Sequence, residues 1–180
     1  MITFSRRDFL RISVVGITST GVAFSADTRG KPFVIATIND MHIKDEASVA
    51  ILDKAVSAIN EDSRIQFTIV LGDVATGGQA DELALAKTAL EKLAQPWFVV
   101  PGNHDVFLRD DDIHANYTAA FGPVHWTHEA NGWMFIGFNS CEGVKSDVVV
   151  STDELAWLEK TAATVEKQMP VALFCHHPLN

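Results

Sequence analysis

The chain has 180 residues, 47% of them hydrophobic and 21% charged, which suits one globular domain and excludes a disordered or collagen-like chain. Its formal charge of −9 argues against a nucleic-acid backbone or an anionic membrane surface as partner. A small phosphate-bearing ligand stays open, because a bound cation reverses the local field.

Residues 1–25 read as an address rather than as part of the fold. Ser5-Arg6-Arg7-Asp8-Phe9-Leu10-Arg11 precedes an apolar stretch from Ile12 to Phe24 that is too short, and too rich in Gly, Ser and Thr, to span a membrane. The segment is similar to a twin-arginine export signal. That similarity implies the twin-arginine machinery as a partner and a periplasmic or extracellular destination. Removing the segment leaves residues 26–180 as a more acidic domain, without Arg6, Arg7, Arg11 and Asp8.

Phe33 to Ile38 is an apolar, β-branched run that predicts a buried strand, ending in Asn39-Asp40-Met41-His42. Glu46 to Asn60 carries Val49, Leu52, Val56 and Ile59 at helical spacing. Phe67 to Leu71 predicts a second strand, ending in Gly72-Asp73, and Ala80 to Leu93 a second helix. Trp97 to Val100 predicts a third strand, followed by Pro101-Gly102-Asn103-His104-Asp105. Strands alternating with helices imply a parallel sheet covered by helices. In such sheets ligands bind beyond the carboxyl ends of the strands, so these polar clusters are expected on one rim.

The second half is less regular. Asp112 to Phe121 predicts a short helix; Val124 to Glu129 and Trp133 to Phe138 predict a hairpin turning at Ala130-Asn131-Gly132. Ser151-Thr152-Asp153-Glu154 reads as a capping box opening a helix to about Val165. Val171 to Cys175 predicts a buried strand ending in His176-His177-Pro178. Cys141 and Cys175 adjoin apolar runs and read as buried thiols rather than a disulfide.

The strand-end residues form a metal-ligand inventory. Asp40 and His42, two apart on extended backbone, would point the same way. Asp73 adds a carboxylate able to bridge two cations, Asn103 an amide oxygen and His176 an imidazole. Oxygen and nitrogen donors without a thiolate suit Mn, Fe or Zn. Two such ions clamp a phosphoryl group and acidify a water. His104 would sit near the leaving group, with Asp105 orienting its ring and favouring the imidazolium.

Asp40-x-His42, Gly72-Asp73, Gly102-Asn103-His104-Asp105 and His176-His177-Pro178, in that order, resemble the motifs of the calcineurin-like metallophosphoesterases. The resemblance covers residues 33 to 180 and is nearest to the cyclic-nucleotide and glycerophosphodiester phosphodiesterase branch. It implies an α/β/β/α sandwich with a dinuclear centre. It implies that Asp40, His42 and Asp73 bind one ion, and that a bridging Asp73 with Asn103 and His176 binds the second. It implies that a metal-activated hydroxide hydrolyses a small phosphoester, a diester rather than a monoester. His104 would bind phosphate or protonate the leaving group, with Asn103 and His177 as further substrate contacts. The family's Gly-His-x-His motif, which follows the His-His-Pro strand, has no counterpart here. The expectation is therefore a sandwich incomplete at its carboxyl terminus.

Other residues have blander readings. His114, His125 and His128 are expected on surface elements as non-ligands. The four tryptophans are expected in packing roles. Asp110-Asp111-Asp112 reads as a solvated turn. Asn139-Ser140 stands where relatives often have Asp-Ser. The alternative to an enzyme is a catalytically incompetent metal- or phosphate-binding remnant, and a third reading has a dimer partner complete the site.

Overall fold

The computed structural model describes residues 33–108 and 111–178. The segment expected to be an export signal, Asp110 and the last two residues lie outside the described residues. No described helix is long and apolar enough to cross a membrane.

The first half is built on a parallel sheet ordered β1-β2-β3, from Val34–Ile38, Ile65–Val70 and Trp97–Val99. Two helices connect these strands, α1 (Glu46–Glu61) and α2 (Ala80–Leu90). Helix α1 starts at a reciprocal cap: Asp45 accepts from the Ser48 N–H, and Ser48 Oγ accepts from the Asp45 N–H, each at 3.0 Å. Helix α2 stops before the expected Leu93. Gln95 precedes Pro96, which disfavours helical backbone at Gln95, and Asn60 clamps the exit turn: its amide donates to the Lys92 carbonyl at 2.8 Å and accepts from Ala94 N–H at 2.9 Å.

The second sheet is mixed, ordered β4-β5-β6, from Trp126–Ala130, Trp133–Gly137 and Val171–Phe174. Strands β4 and β5 are antiparallel, and β6 runs parallel to β5. The hairpin turns on Asn131 and Gly132 alone, at φ 51° and 76°. Two central residues at positive φ form the turn whose twist matches paired strands. Helix α3 (Ala115–Phe121) begins later than the sequence suggests, because Asp112 accepts from the His114 N–H at 3.0 Å in a turn of its own. Helix α4 covers Thr152–Thr164. Ser151 caps it as expected, but the Glu154 carboxylate does not complete the box. It accepts instead from the Asn139 N–H at 3.0 Å and meets His125 Nδ1 at 2.9 Å.

Strand alternation divides the core. Val70, Trp97 and Val99 face α1 and α2, where Leu52, Val56, Ala86 and Leu90 pack. Phe67, Ile69 and Phe98 face the other way, against Trp126, Phe135 and Phe174 of the second sheet. The two sheets thus share one apolar layer, which is the expected sandwich arrangement. His128 belongs to that layer, with its ring centroid 4.5 Å from Phe98 and 4.9 Å from Phe67. His128 is partly buried, whereas His114 is buried, its Nε2 3.2 Å from the Asn139 amide nitrogen. The surface placement expected of His114 is corrected, because a buried amide holds it, and His128 turns its ring inward against aromatic neighbours. His125 stays partly exposed, stacked on Trp157 with centroids 3.8 Å apart.

Candidate metal centre

The loops after β1, β2 and β3 converge with the end of β6. The loop after β1 lies alongside the loop after β2: Asp40 N–H donates to Gly72 O, His42 N–H to Asp73 O and Ile43 N–H to Val74 O, at 2.8–3.1 Å. Asp40, His42 and Asp73 all have positive φ, 54°, 45° and 49°. The extended backbone expected at Asp40 and His42 is therefore corrected, because β1 has already ended. Only four described non-glycine residues have positive φ, and three of them are these candidate ligands. Such backbone persists where surrounding structure imposes it, and it clusters at functional sites.

Two glycines let the loops touch. A Cβ on Gly72, itself at φ +84°, would lie 2.6 Å from Gly102 N and 2.9 Å from His176 Nδ1. A Cβ on Gly102 would overlap the Asp73 carboxylate and backbone nitrogen.

Asp73 is the hub. It is 4% exposed; its Oδ1 accepts from the His104 N–H at 2.9 Å and lies 3.4 Å from His176 Nε2, while its Oδ2 lies 3.6 Å from His42 Nε2. Burial by itself would raise the Asp73 carboxyl. The neighbouring His176 ring and the His104 backbone N–H outweigh it and hold the carboxyl below its ordinary value. Burial likewise disfavours the charged His176, but Asp73 and the Leu71 carbonyl raise its pKa.

Two groups of potential ligand atoms result, each with all members within 4.8 Å: His42, Asp73 and His104, and Asp40, Asp73 and His176. Asp73 belongs to both. Among histidine and carboxylate side chains, His104 joins His42 and Asp40 joins His176. The His42 and His104 rings meet edge to face at 4.7 Å. The amide of Asn103 has partners of its own. Its Nδ2 donates to the Val144 carbonyl, and its Oδ1 faces His177 Nε2, both at 3.1 Å. Carboxylate oxygens and imidazole nitrogens this close, without a thiolate among them, fit Mn, Fe or Zn.

Backbone carbonyls set which ring nitrogens face the cluster. His104 Nδ1 is 2.8 Å from the Thr76 carbonyl, and His176 Nδ1 is 2.7 Å from the Leu71 carbonyl. A carbonyl can only accept, so each Nδ1 carries the proton and each Nε2 lone pair is left available. The expected orientation of His104 by Asp105 is thus corrected. Asp105 is fully buried and accepts from Ala75 N–H and Gly102 N–H, both at 2.8 Å. Burial pushes its carboxyl up to about 6 against those N–H groups. It pins the loop and leaves the neighbouring ring to Thr76. His104 and Asp40 are the exposed members of the cluster, His42 is partly exposed, and Asn103 and His177 are buried. The substrate contact expected of His177 does not match a side chain that is 6% exposed and internally bonded.

Sequence reasoning missed Thr76, whose hydroxyl also donates to the His42 carbonyl at 2.8 Å. Its grip on His104 uses a carbonyl that every residue has, so no sequence signal marks it. Neither cysteine forms a disulfide; Cys141 is buried as expected and Cys175 only partly so.

The sequence profile of the family described as Calcineurin-like phosphoesterase matches residues 33–180. A probable cyclic nucleotide phosphodiesterase of Fibrobacter succinogenes is 26% identical over 161 residues, covering 82% of this chain and 58% of that protein. A probable glycerophosphodiester phosphodiesterase of Arcobacter nitrofigilis is 28% identical over 163 residues, covering 81% and 57%. This chain therefore spans little more than half the length of these relatives. Among solved structures, a purple acid phosphatase from yellow lupin seeds superposes with a TM-score of 0.54 at 14% identity, over 77% of this chain and 29% of that one. At such identity the likeness concerns the fold.

Proposed function

We propose that this chain, which belongs to the calcineurin-like phosphoesterase family, carries a two-metal centre for hydrolysis of small phosphodiesters. The observation that supports this most is the sharing of Asp73 between two groups of ligand atoms. Asp40, Asp73 and His176 would hold one ion, and His42, Asp73 and Asn103 the other, which leaves His104 to the substrate. When bound, a metal pair of this kind clamps a phosphoryl group and lowers the pKa of water.

The chain's own residues then divide the remaining work. His104 is exposed beside Asp73, with Nδ1 committed to the Thr76 carbonyl, so it handles protons at Nε2. A proton held there can pass to the leaving alcohol, a role that typically contributes about 10²–10⁴-fold. Asp105 keeps Gly102 and Ala75 together and so holds the loop that presents His104. The preference for diesters rests on the relatives' names.

The test is metal analysis and turnover of the full chain with Mn or Zn and bis(para-nitrophenyl) phosphate. Two ions per chain and metal-dependent nitrophenolate release are expected. Bound metal without turnover would favour the binding remnant instead, and neither metal nor turnover would overturn both readings. Export is part of the same proposal, supported by Ser5-Arg6-Arg7-Asp8-Phe9-Leu10. Residues 1–25 fused to a folded reporter should direct its export, and Arg6→Lys with Arg7→Lys should abolish it.

A further inference from the structure

We propose that His177 is a positioning residue: its Nε2–H donates to Asn103 Oδ1 and fixes that amide oxygen at the metal centre, with the Cys141 thiol selecting the required tautomer. The proposal rests on Asn103 being a metal ligand.

The geometry leaves little freedom. His177 Nε2 lies 3.1 Å from Asn103 Oδ1, which has no proton to offer. The amide cannot be reversed, because Nδ2 already donates to the Val144 carbonyl at 3.1 Å, and reversal would set two acceptors face to face. The proton of this contact therefore belongs to Nε2. A neutral ring then has a bare Nδ1 that needs a donor. Cys141 Sγ lies 3.4 Å away, nearer than the Pro101 carbonyl that the same S–H could serve at 3.8 Å, and can supply one. Cys141 is wholly buried, and that burial pushes its thiol up to about 12, so the S–H persists at neutral pH. The Ser140 carbonyl, 3.3 Å from Nδ1, would suit the opposite tautomer, but that choice leaves two lone pairs opposed at Asn103. The His177 backbone is also tied down, its N–H donating to Ser140 Oγ at 3.1 Å. Partners behind a ligand orient it, and their loss typically lowers metal affinity about 10–100-fold.

Two measurements on the full chain decide this. In the metal-free protein at neutral pH, nitrogen-15 NMR should show His177 protonated at Nε2 alone. A proton on Nδ1, alone or with Nε2–H, would overturn the proposal. Calorimetric titration with Co²⁺ should show affinity lowered about 10–100-fold in His177→Leu. His177→Gln, whose amide can still donate to Asn103, should recover most of the loss while melting at a temperature similar to His177→Leu. Equal Co²⁺ affinity in the parent and both variants would overturn the positioning role. A parent chain that takes up no Co²⁺ overturns the metal-centre reading, and the role of His177 with it, even with Nε2–H in place. A proton on Nδ1 with normal Co²⁺ uptake overturns the His177 assignment alone.

Discussion

The two sheets serve the centre differently. The parallel sheet supplies donors: Asp40, His42, Asp73, Asn103 and His104 all follow its strands. Its loops hold them by backbone zipping, by positive φ and by two glycines that allow close approach. The mixed sheet sends in His176 and His177 from the end of β6, and otherwise supplies braces. Asn139, Ser140 and Cys141, just beyond β5, are buried and bonded to one another or to His177. Parallel strands ending on one rim gather the candidate ligands; the second sheet fixes how some of them face. The division predicts that damage to the first half abolishes metal binding, whereas damage to the second loosens it.

The largest expected effect is that of Asp73→Ala, which removes the carboxylate common to both ligand groups. Metal affinity should fall by more than the ~100-fold ascribed to outer partners, measured as metal content after dialysis. Near-normal content would break the division. Gly102→Ala should come next. Its methyl would collide with Asp73, and overpacking of this kind costs about 1–3 kcal/mol. Urea unfolding should register the loss, together with reduced metal uptake. In the bracing half, Glu154→Gln keeps an acceptor for the Asn139 N–H but weakens the contact with His125. About 0.5–1.5 kcal/mol of stability should go, with metal affinity lowered only slightly. A metal loss as deep as that of Asp73→Ala would show that the halves are not distinct.

A last expected effect, absent at neutral pH, is a pH dependence confined to the same half. Burial raises the Cys141 thiol to about 12 and the Cys175 thiol to about 11, from an ordinary 9.0. A raised folded pKa means that this contribution to stability is complete below pH 9 and is lost as pH climbs through 9 towards 11–12. The urea midpoint should therefore fall above pH 9. The fall should be shallower in Cys141→Ala with Cys175→Ala.

Much of the layout was legible beforehand because it rests on local rules. Apolar β-branched runs marked the strands, helical spacing marked α1, and Asn131-Gly132 marked the hairpin turn. The polar clusters at strand ends were legible for the same reason: each is contiguous in the chain. Their mutual orientation was not. Asp105 follows His104 directly, yet its oxygens go to Ala75 and Gly102, while the ring goes to the Thr76 carbonyl. Glu154 fits a capping box and instead braces Asn139 and His125.

The sequence by itself determined which donors exist, at which strand ends they lie, and which turns return the chain to one rim. Only the tertiary structure decided which atom of each donor faces the cluster. The physical reason is that a buried polar group must be satisfied by whatever partner packing brings within reach. At this centre that partner is often a backbone carbonyl or N–H from a distant loop, which no side-chain pattern announces.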